Sequence, residues 1–217
     1  MLKIWGRVNS INVQKVLWAV TELGIEHQRT DAGMQYGGVN EPWYRAMNPN
    51  GRVPTIDDDG FVLWESNVIV RYLAAKHAAG GLCPANLQTR AEADRWMDWA
   101  TTTIAPVLTP LFWGLIRTAP EKRDLKAIEE ERKKTEGVMS ILDAHLADRA
   151  FVAGEAFTMG DIPVGCFAYR WSALPMERPS LPNLARWMEC LDAREGYRKF
   201  VALPMQGQDK GSATNFR

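Results

Sequence analysis

A short segment of the chain combines residue types that can hold a small peptide by its backbone. Two apolar runs, Val53–Ile56 and Phe61–Trp64, flank Asp57-Asp58-Asp59-Gly60 and predict a β-hairpin. The first run begins with Val53-Pro54, and only an X-Pro bond is cis at modest cost. A cis bond here would leave the Val53 amide and carbonyl free to pair with an extended peptide. The start of the hairpin is therefore a candidate peptide-binding edge.

Glu65 and Ser66 follow the hairpin directly and open a helix whose apolar residues recur at helical spacing. A serine hydroxyl beside the unpaired N–H groups of a helix start can bind a carboxylate or a phosphate. The Glu65 carboxylate can accept from an ammonium group. Taken alone, Ser66 is better explained as an ordinary helix cap. Its combination with Val53-Pro54 predicts a site for a small zwitterionic peptide.

A second polar cluster, Asn9-Ser10-Ile11-Asn12-Val13-Gln14-Lys15, lies where the first strand is expected to lead into the first helix. Ser10 or Asn12 can simply cap that helix. A thiol held at the same place is drawn toward its thiolate. Ionising a thiol of pKa about 8.5 at neutral pH takes roughly 2.7 kcal/mol. A hydrogen bond to a charged group supplies about 1.5–3 kcal/mol and a helix end about 0.3–1 kcal/mol. One hydroxyl donor together with the helix end therefore suffices without a proton-transfer base.

The elements that must position these clusters follow a simple order. We expect strands at Leu2–Gly6, Ile25–Thr30, Val53–Ile56 and Phe61–Trp64, a first helix ending near Gly24, a short helix at Pro42–Met47 and a third helix from Glu65. A βαβ unit followed by a ββα unit is a thioredoxin-like arrangement, and its parallel strand pair needs a crossover of this length.

The second half of the sequence predicts helices only. A linker at Ala78–Leu87 leads to a helix from Gln88 toward Arg117, bent near Pro106, and to a second helix at Glu121–Asp148. A capping box is expected to open a later helix, with Thr158 capping the Asp161 amide and Asp161 bonding back. The predicted class is α+β: a thioredoxin-like domain (1–79), a linker (80–88), an all-helical domain (89–203) and a tail (204–217), mobile unless it docks.

Composition excludes several kinds of partner. Lys plus Arg equals Asp plus Glu at 26 each, so no excess charge indicates binding to nucleic acid or to an anionic membrane. The three cysteines and the absence of a secretory signal indicate a cytoplasmic protein, and the three scattered histidines suggest no metal site. The uncharged run Trp99–Ile116 is long enough to raise a membrane question, but its two prolines favour a buried, kinked helix.

Val53-Pro54 before a hairpin and Glu65-Ser66 after it resemble the glutathione-binding segment of the glutathione S-transferase family. The resemblance implies glutathione as co-substrate, no metal, and a homodimer.

Ser10 resembles the thiol-binding serine of serine-type members, and Asn12 the asparagine of bacterial and fungal relatives. We take Ser10 as the principal donor with Asn12 as helper or replacement. The implied glutathione ligands are Arg52, Val53, Pro54, Glu65 and Ser66. Gln35 or Asn40 would bind the glycine carboxylate, and Asp98 would reach the γ-glutamyl amine of the glutathione bound to a partner subunit.

The electrophile is expected against the helical domain. Its candidate walls are Phe112, Trp113, Arg117 and Trp171, although aromatic residues at helical spacing more often belong to a core.

Three functions remain open from the sequence. The first is conjugation of the glutathione thiolate to an electrophilic small molecule. The second is reduction of disulfides or peroxides with bound glutathione, although position 10 is not the cysteine of the cysteine-type classes. The third is a non-catalytic binding protein on the same scaffold, which the intact Glu65, Ser66 and Val53-Pro54 argue against.

Overall fold

A computed structural model describes residues 1–205 of the chain. The first domain contains strands β1 (Leu2–Trp5), β2 (His27–Thr30), β3 (Thr55–Asp58) and β4 (Phe61–Trp64) and helices α1 (Ile11–Glu22), α2 (Pro42–Met47) and α3 (Ser66–His77). The helical part contains α4 (Leu87–Trp99), α5 (Ala105–Phe112), α6 (Leu125–His145), α7 (Asp161–Ser172), α8 (Pro182–Asp192) and α9 (Glu195–Phe200). The order confirms a thioredoxin-like domain followed by a helical one.

The four strands form one mixed sheet in the order β2-β1-β3-β4. β1 runs parallel to β2 and antiparallel to β3, so that Ile4 lies opposite Ile56 and both are fully buried. β2 begins later than predicted, because the Ile25 amide donates to the Val20 carbonyl and so closes the end of α1. β3 begins at Thr55, after Pro54 rather than at Val53.

Helix α1 belongs to two hydrophobic cores. Val13, Val16, Leu17 and Val20 pack into the core beneath the sheet, whereas Trp18 packs into the core of the helical part. A Cβ on Gly165 or on Gly196 would lie 2.9 Å or 2.6 Å from the Trp18 ring. Only glycine leaves room for this ring, so both positions fix how α1 sits against α7 and α9.

Helix α4 begins one residue before the predicted start at Gln88. The Asn86 side chain accepts from the amides of Gln88 and Thr89, which makes it the cap of α4. The helix therefore begins at Leu87.

The helical region Leu87–Arg117, predicted as one bent helix, bends through two π-helical segments rather than at a single kink. π-helical segments at Ala100–Ile104 and Trp113–Arg117 flank α5. Pro106 lacks the N–H that would bond the Thr102 carbonyl, which accounts for the first wide turn. By length and composition alone, Leu87–Arg117 could span a membrane, and 28% of its most apolar window is buried. The predicted burial therefore holds for one face only, which includes Ile104 and Leu108.

The predicted second long helix is interrupted near its start. A short 3-10 turn at Pro120–Lys122 precedes α6, and Asp124 caps α6 by accepting from the Ala127 amide. Sequence periodicity alone did not reveal this cap.

The capping box before α7 differs from its predicted form in one bond. Asp161 bonds back as predicted, since one carboxylate oxygen accepts from the Thr158 amide at 2.9 Å. The Thr158 hydroxyl, however, accepts from the Gly160 amide at 3.3 Å and not from the Asp161 amide. At the chain end, Pro204 and Met205 line a small cavity, and the rest of the predicted tail lies outside the described residues.

Candidate functional site

A cavity of about 560 Å³ lies between the first domain and the helical part. Its wall is built from the start of α1, the loops around Gly33 and Gly51, the start of α3, the α4–α5 region and one face of α7. Of the predicted site residues it contains Ser10, Asn12, Arg52, Val53, Glu65, Ser66, Phe112, Trp113 and Arg117. Segments far apart in sequence thus meet around one space of ligand size.

The candidate peptide-binding edge lies at the wall of this cavity. The Val53-Pro54 bond is cis, and Val53 lines the cavity while Pro54 is buried beside it. Tyr44 supports this loop, because its hydroxyl donates to the Arg52 carbonyl at 2.7 Å. The loop is therefore held in place from behind, while Val53 and Arg52 face the cavity.

Glu65 and Ser66 lie at the start of α3, with Glu65 as the flanking residue and Ser66 as the first helical one. Glu65 has a φ of 72°, a backbone conformation that costs about 1–3 kcal/mol for a residue other than glycine. Its side chain is exposed to the cavity, whereas Ser66 is buried. The accessible Glu65 carboxylate, together with the unpaired amides at the start of α3, can bind an amino-acid head group.

Ser10 and Asn12 occupy the start of α1. Ser10 is the N-cap residue, yet its side chain makes no capping hydrogen bond, which leaves its hydroxyl available to a ligand. The Asn12 carbonyl oxygen accepts from Lys15 Nζ at 3.0 Å and from Ser66 Oγ at 3.3 Å. Both acceptor positions of that oxygen are therefore used, and the Asn12 amide group can face a ligand only as a donor.

Lys15 is the site residue that sequence reasoning missed as a functional group. It is 2% exposed, lines the cavity, and has its ammonium 5.0 Å from the centre of the Phe167 ring. Burial lowers the pKa of Lys15 to about 8. The only sequence signal was a lysine one turn after Asn12, because its burial comes from α7, far along the chain.

Replacing Lys15 with methionine is expected to change how stability depends on pH. The folded pKa of about 8 lies below the unfolded value of about 10.4, so the unfolded chain binds more protons between them. Stability contributed by Lys15 is therefore lost as pH falls from about 10 to about 8. Relative to Lys15→Met, wild-type protein should gain roughly 2–3 kcal/mol between about pH 7 and pH 10, measured by urea unfolding.

The matched control for this measurement is Lys126→Met, since Lys126 is exposed on α6. It should follow the wild-type pH dependence. A wild-type curve parallel to that of Lys15→Met would contradict the buried, pKa-shifted lysine.

The predicted electrophile walls divide into two groups. Phe112, Trp113 and Arg117 line the cavity, and Trp113 is 51% exposed. Trp171 does not: it is 4% exposed and packs in the helical core, with Arg178 over its ring. α7 turns Phe167 toward the cavity instead, and the placement of Trp171 in the wall was wrong.

Three weaker predictions also lie away from the cavity wall that the described residues form. Gln35 and Asn40 are exposed, and the Asn40 carbonyl oxygen accepts from Arg45 at 2.8 Å. Their loop reaches the cavity through Gly33, Met34 and Val39. Asp98 is ion-paired with Arg71 of the same chain.

Within residues 1–205, no group of three His, Cys, Asp or Glu side chains is placed to hold a metal ion. The cysteines are free: Cys83 and Cys166 are buried and Cys190 is exposed. Burial raises the pKa of Cys166 to about 12, so this thiol is not a nucleophile at neutral pH.

Comparison with protein families finds two matches in separate parts of the chain. A model described as the N-terminal domain of glutathione S-transferase matches residues 1–75, and one described as the C-terminal domain matches residues 126–190. Glutathione S-transferase GstB of Escherichia coli K12 is 40% identical over 207 residues, spanning 94% of this chain and 100% of the relative. Glutathione S-transferase 3 of Zea mays is 31% identical, spanning 98% of this chain and 99% of the relative.

A solved structure resembles the whole fold. The theta class glutathione S-transferase of Xanthomonas axonopodis pv. citri, crystallised with glutathione bound, superposes with a TM-score of 0.91 at 45% identity. The match covers 94% of this chain and 98% of that one. Sequence and structure therefore agree over nearly the full length of the chain.

Proposed function

Since this chain belongs to the glutathione S-transferase family, we propose that it transfers the glutathione thiolate to an electrophilic small molecule. Ser10 and Asn12 donate the hydrogen bonds that stabilise the thiolate. Support comes from the shared cavity, which brings the peptide edge, the head-group site and the start of α1 together. Glutathione would lie along Val53, with its γ-glutamyl end at Glu65 and Ser66. The electrophile would lie against Phe112 and Trp113.

The observation that carries this proposal is the fixed orientation of Asn12. Lys15 and Ser66 both donate to its carbonyl oxygen, so the amide N–H groups remain for an anion. The ammonium of Lys15 adds positive charge in a largely dry environment. Ser10 and the free amides at the start of α1 complete a site that favours thiolate over thiol.

Reduction of disulfides or peroxides is the second candidate reaction. No cysteine lines the larger cavity within the described part of the chain, so a protein thiol would not take part. Comparing turnover of an aryl halide with turnover of a mixed disulfide and of a hydroperoxide separates the reactions. A larger ratio of catalysed to uncatalysed rate for the disulfide or the peroxide than for the aryl halide would favour reduction. No turnover of any substrate would favour a binding protein.

Replacing Glu65 with glutamine is expected to weaken glutathione binding about tenfold to a hundredfold. The change removes the charged partner of the γ-glutamyl ammonium, and a charge-assisted hydrogen bond contributes about 1.5–3 kcal/mol. Isothermal titration calorimetry with glutathione and with S-methylglutathione measures the loss without requiring turnover.

Both ligands should lose affinity equally, because the head group is common to them. Glu155→Gln, an exposed carboxylate outside the cavity wall, is the matched control and should bind as wild type does. Unchanged affinity in Glu65→Gln would move the head group away from Glu65.

The proposal extends to a cytoplasmic homodimer in which Asp98 approaches the glutathione of the partner subunit. Asp98 is accessible for this, with 67% of its side chain exposed despite its pairing with Arg71. Gln35 and Asn40 remain proposals for the glycine carboxylate, and both would require their loop to move toward the cavity.

A further inference from the structure

The wall of the larger cavity carries more positive charge than glutathione can neutralise. Among the described residues it presents one carboxylate, that of Glu65, and several cationic side chains. The cationic residues are Arg7, Lys15, Arg52, Arg117 and Arg170. Glutathione brings two carboxylates and one ammonium group, and its ionised thiol adds one negative charge. The wall therefore stays positive after the thiolate form has bound.

Arg170 is the residue that this excess of charge leaves unexplained. It lies on α7, where the larger cavity adjoins a second cavity of about 120 Å³. Its guanidinium is 4.3 Å from the centre of the Phe112 ring, but no hydrogen bond or ion pair joins it to any other described residue. Burial is the main cause that lowers the pKa of Arg170 to about 10. Arg170 is half-buried, and a guanidinium that lines a cavity without protein acceptors among the described residues can bind the oxygens of an anionic ligand.

Two further arginines face the same space. The Arg117 guanidinium lies 5.7 Å from the same Phe112 ring. Arg7 has a buried Nε without a partner in the described chain. Burial and then repulsion by Arg117 lower the pKa of Arg7, and Arg117 and Arg7 likewise repel Arg170. These like charges lie near one another, and no carboxylate of residues 1–205 forms an ion pair with them, so a bound anion would stabilise the site.

We propose, resting on the conjugation reaction above, that the electrophiles of this enzyme carry a carboxylate or a similar anionic group that Arg170, Arg117 and Arg7 bind. Arg117 and Arg170 belong to the helical part, whereas Glu65 and Ser66 belong to the first domain. The anion would bind beside Phe112, whose ring lies 4.3 Å from the Arg170 guanidinium, with the apolar body of the electrophile against the same side of the cavity. A guanidinium presents a planar fork that matches the two oxygens of a carboxylate.

The reaction leaves the anionic group unchanged. With a chloronitrobenzoate, the glutathione sulfur attacks the ring carbon that carries chlorine. A carbon–sulfur bond forms, the carbon–chlorine bond breaks, and chloride leaves with the bonding electron pair. The arginines remain protonated throughout and only hold the carboxylate.

The test compares 4-chloro-3-nitrobenzoate with its neutral amide, 4-chloro-3-nitrobenzamide. Each enzymatic kcat/KM is divided by the uncatalysed rate constant with glutathione, which removes the difference in intrinsic reactivity. Wild-type protein should prefer the carboxylate, and Arg170→Gln should reduce that preference about tenfold to a hundredfold. Arg170→Lys should restore part of it. Arg117→Gln is the second variant should Arg170→Gln fail to fold, and it should likewise reduce the preference for the carboxylate.

Arg95→Gln is the matched control, because Arg95 is exposed on α4 and pairs with Glu92 outside the cavity. It should leave both substrates unchanged, and glutathione affinity should be the same in all variants. An equal loss for both substrates in Arg170→Gln would overturn the proposal. So would weakened glutathione binding, which would assign Arg170 to the peptide instead.

Calorimetry with the two corresponding S-aryl glutathione conjugates tests the anion site without chemistry. Wild-type protein should bind the carboxylate conjugate more tightly than the amide conjugate, and Arg170→Gln should bind both alike. Equal affinities in wild-type protein would overturn the proposal even if conjugation occurs. If neither substrate turns over, the conjugation function fails, while the two affinities still decide the anion site.

Discussion

Replacing Ser10 and Asn12 together with alanine is expected to lower kcat/KM for an aryl halide about a hundredfold at slightly acid pH. The double change removes the two side-chain donors at the start of α1, while the helix amides remain. Loss of about 2.7 kcal/mol of thiolate stabilisation raises the pKa of the bound thiol by about two units. The thiolate fraction, and with it the rate, falls accordingly.

The direct measurement is an ultraviolet titration of thiolate absorbance in the glutathione complex. The pKa of the bound thiol should rise in the double variant, and the rate loss should shrink as pH increases past that value. S-methylglutathione has no ionisable thiol, so its affinity should stay near that of wild type. The single variants then divide the effect between Ser10 and Asn12.

Ser140→Ala is the control, since Ser140 is exposed on α6 and its hydroxyl donates to the Glu136 carbonyl, away from the cavity. It should match wild type in rate and in titration. An unchanged thiol pKa in the double variant would refute the role of both side chains, and the helix end with Lys15 would then have to ionise the thiol alone.

Replacing Asp161 with asparagine is expected to destabilise the fold by about 3 kcal/mol. Asp161 is fully buried and accepts from the amides of Val152 and Thr158, the Thr158 hydroxyl and the Trp187 indole. Burial raises its pKa to about 6, and these donors oppose the rise, so the carboxylate is ionised at neutral pH. An asparagine would turn an N–H₂ group toward two donors and leave them unpaired.

Thermal unfolding should show a midpoint lowered by about 6–12 °C, given roughly 2–4 °C per kcal/mol for a chain of this size. The control is Asp148→Asn, an exposed carboxylate whose loss should change stability by less than about 0.5 kcal/mol. A midpoint for Asp161→Asn equal to that of the control would show that the buried network contributes nothing.

Local sequence patterns predicted those parts of the site that local structure builds. Val53-Pro54, Glu65-Ser66 and the start of α1 each combine a backbone feature with a polar side chain within a few residues. Their positions follow from a turn or a helix end, and the structure brings them to one cavity. The α+β order was predictable for the same reason.

The remaining parts depend on contacts between distant segments. Phe167 of α7 lies over Lys15, and Arg170 of α7 lies near Arg7 because α7 packs against α1, the helix that follows Arg7. Helical spacing could not tell which face of α7 meets the cavity, so Trp171 was assigned to the wrong side. No pattern within one element carries that information.

The tight fit of Trp18 against Gly165 and Gly196 limits how such enzymes can recombine. A hybrid that joins the first 75 residues of this chain to the helices of a relative must find glycine at both facing positions. Any larger residue there would displace α1 and, with it, the proposed thiol site at the start of that helix. Residues of α1 and the residues that face it on α7 and α9 are therefore expected to change together in evolution, so that the two domains are not freely exchangeable.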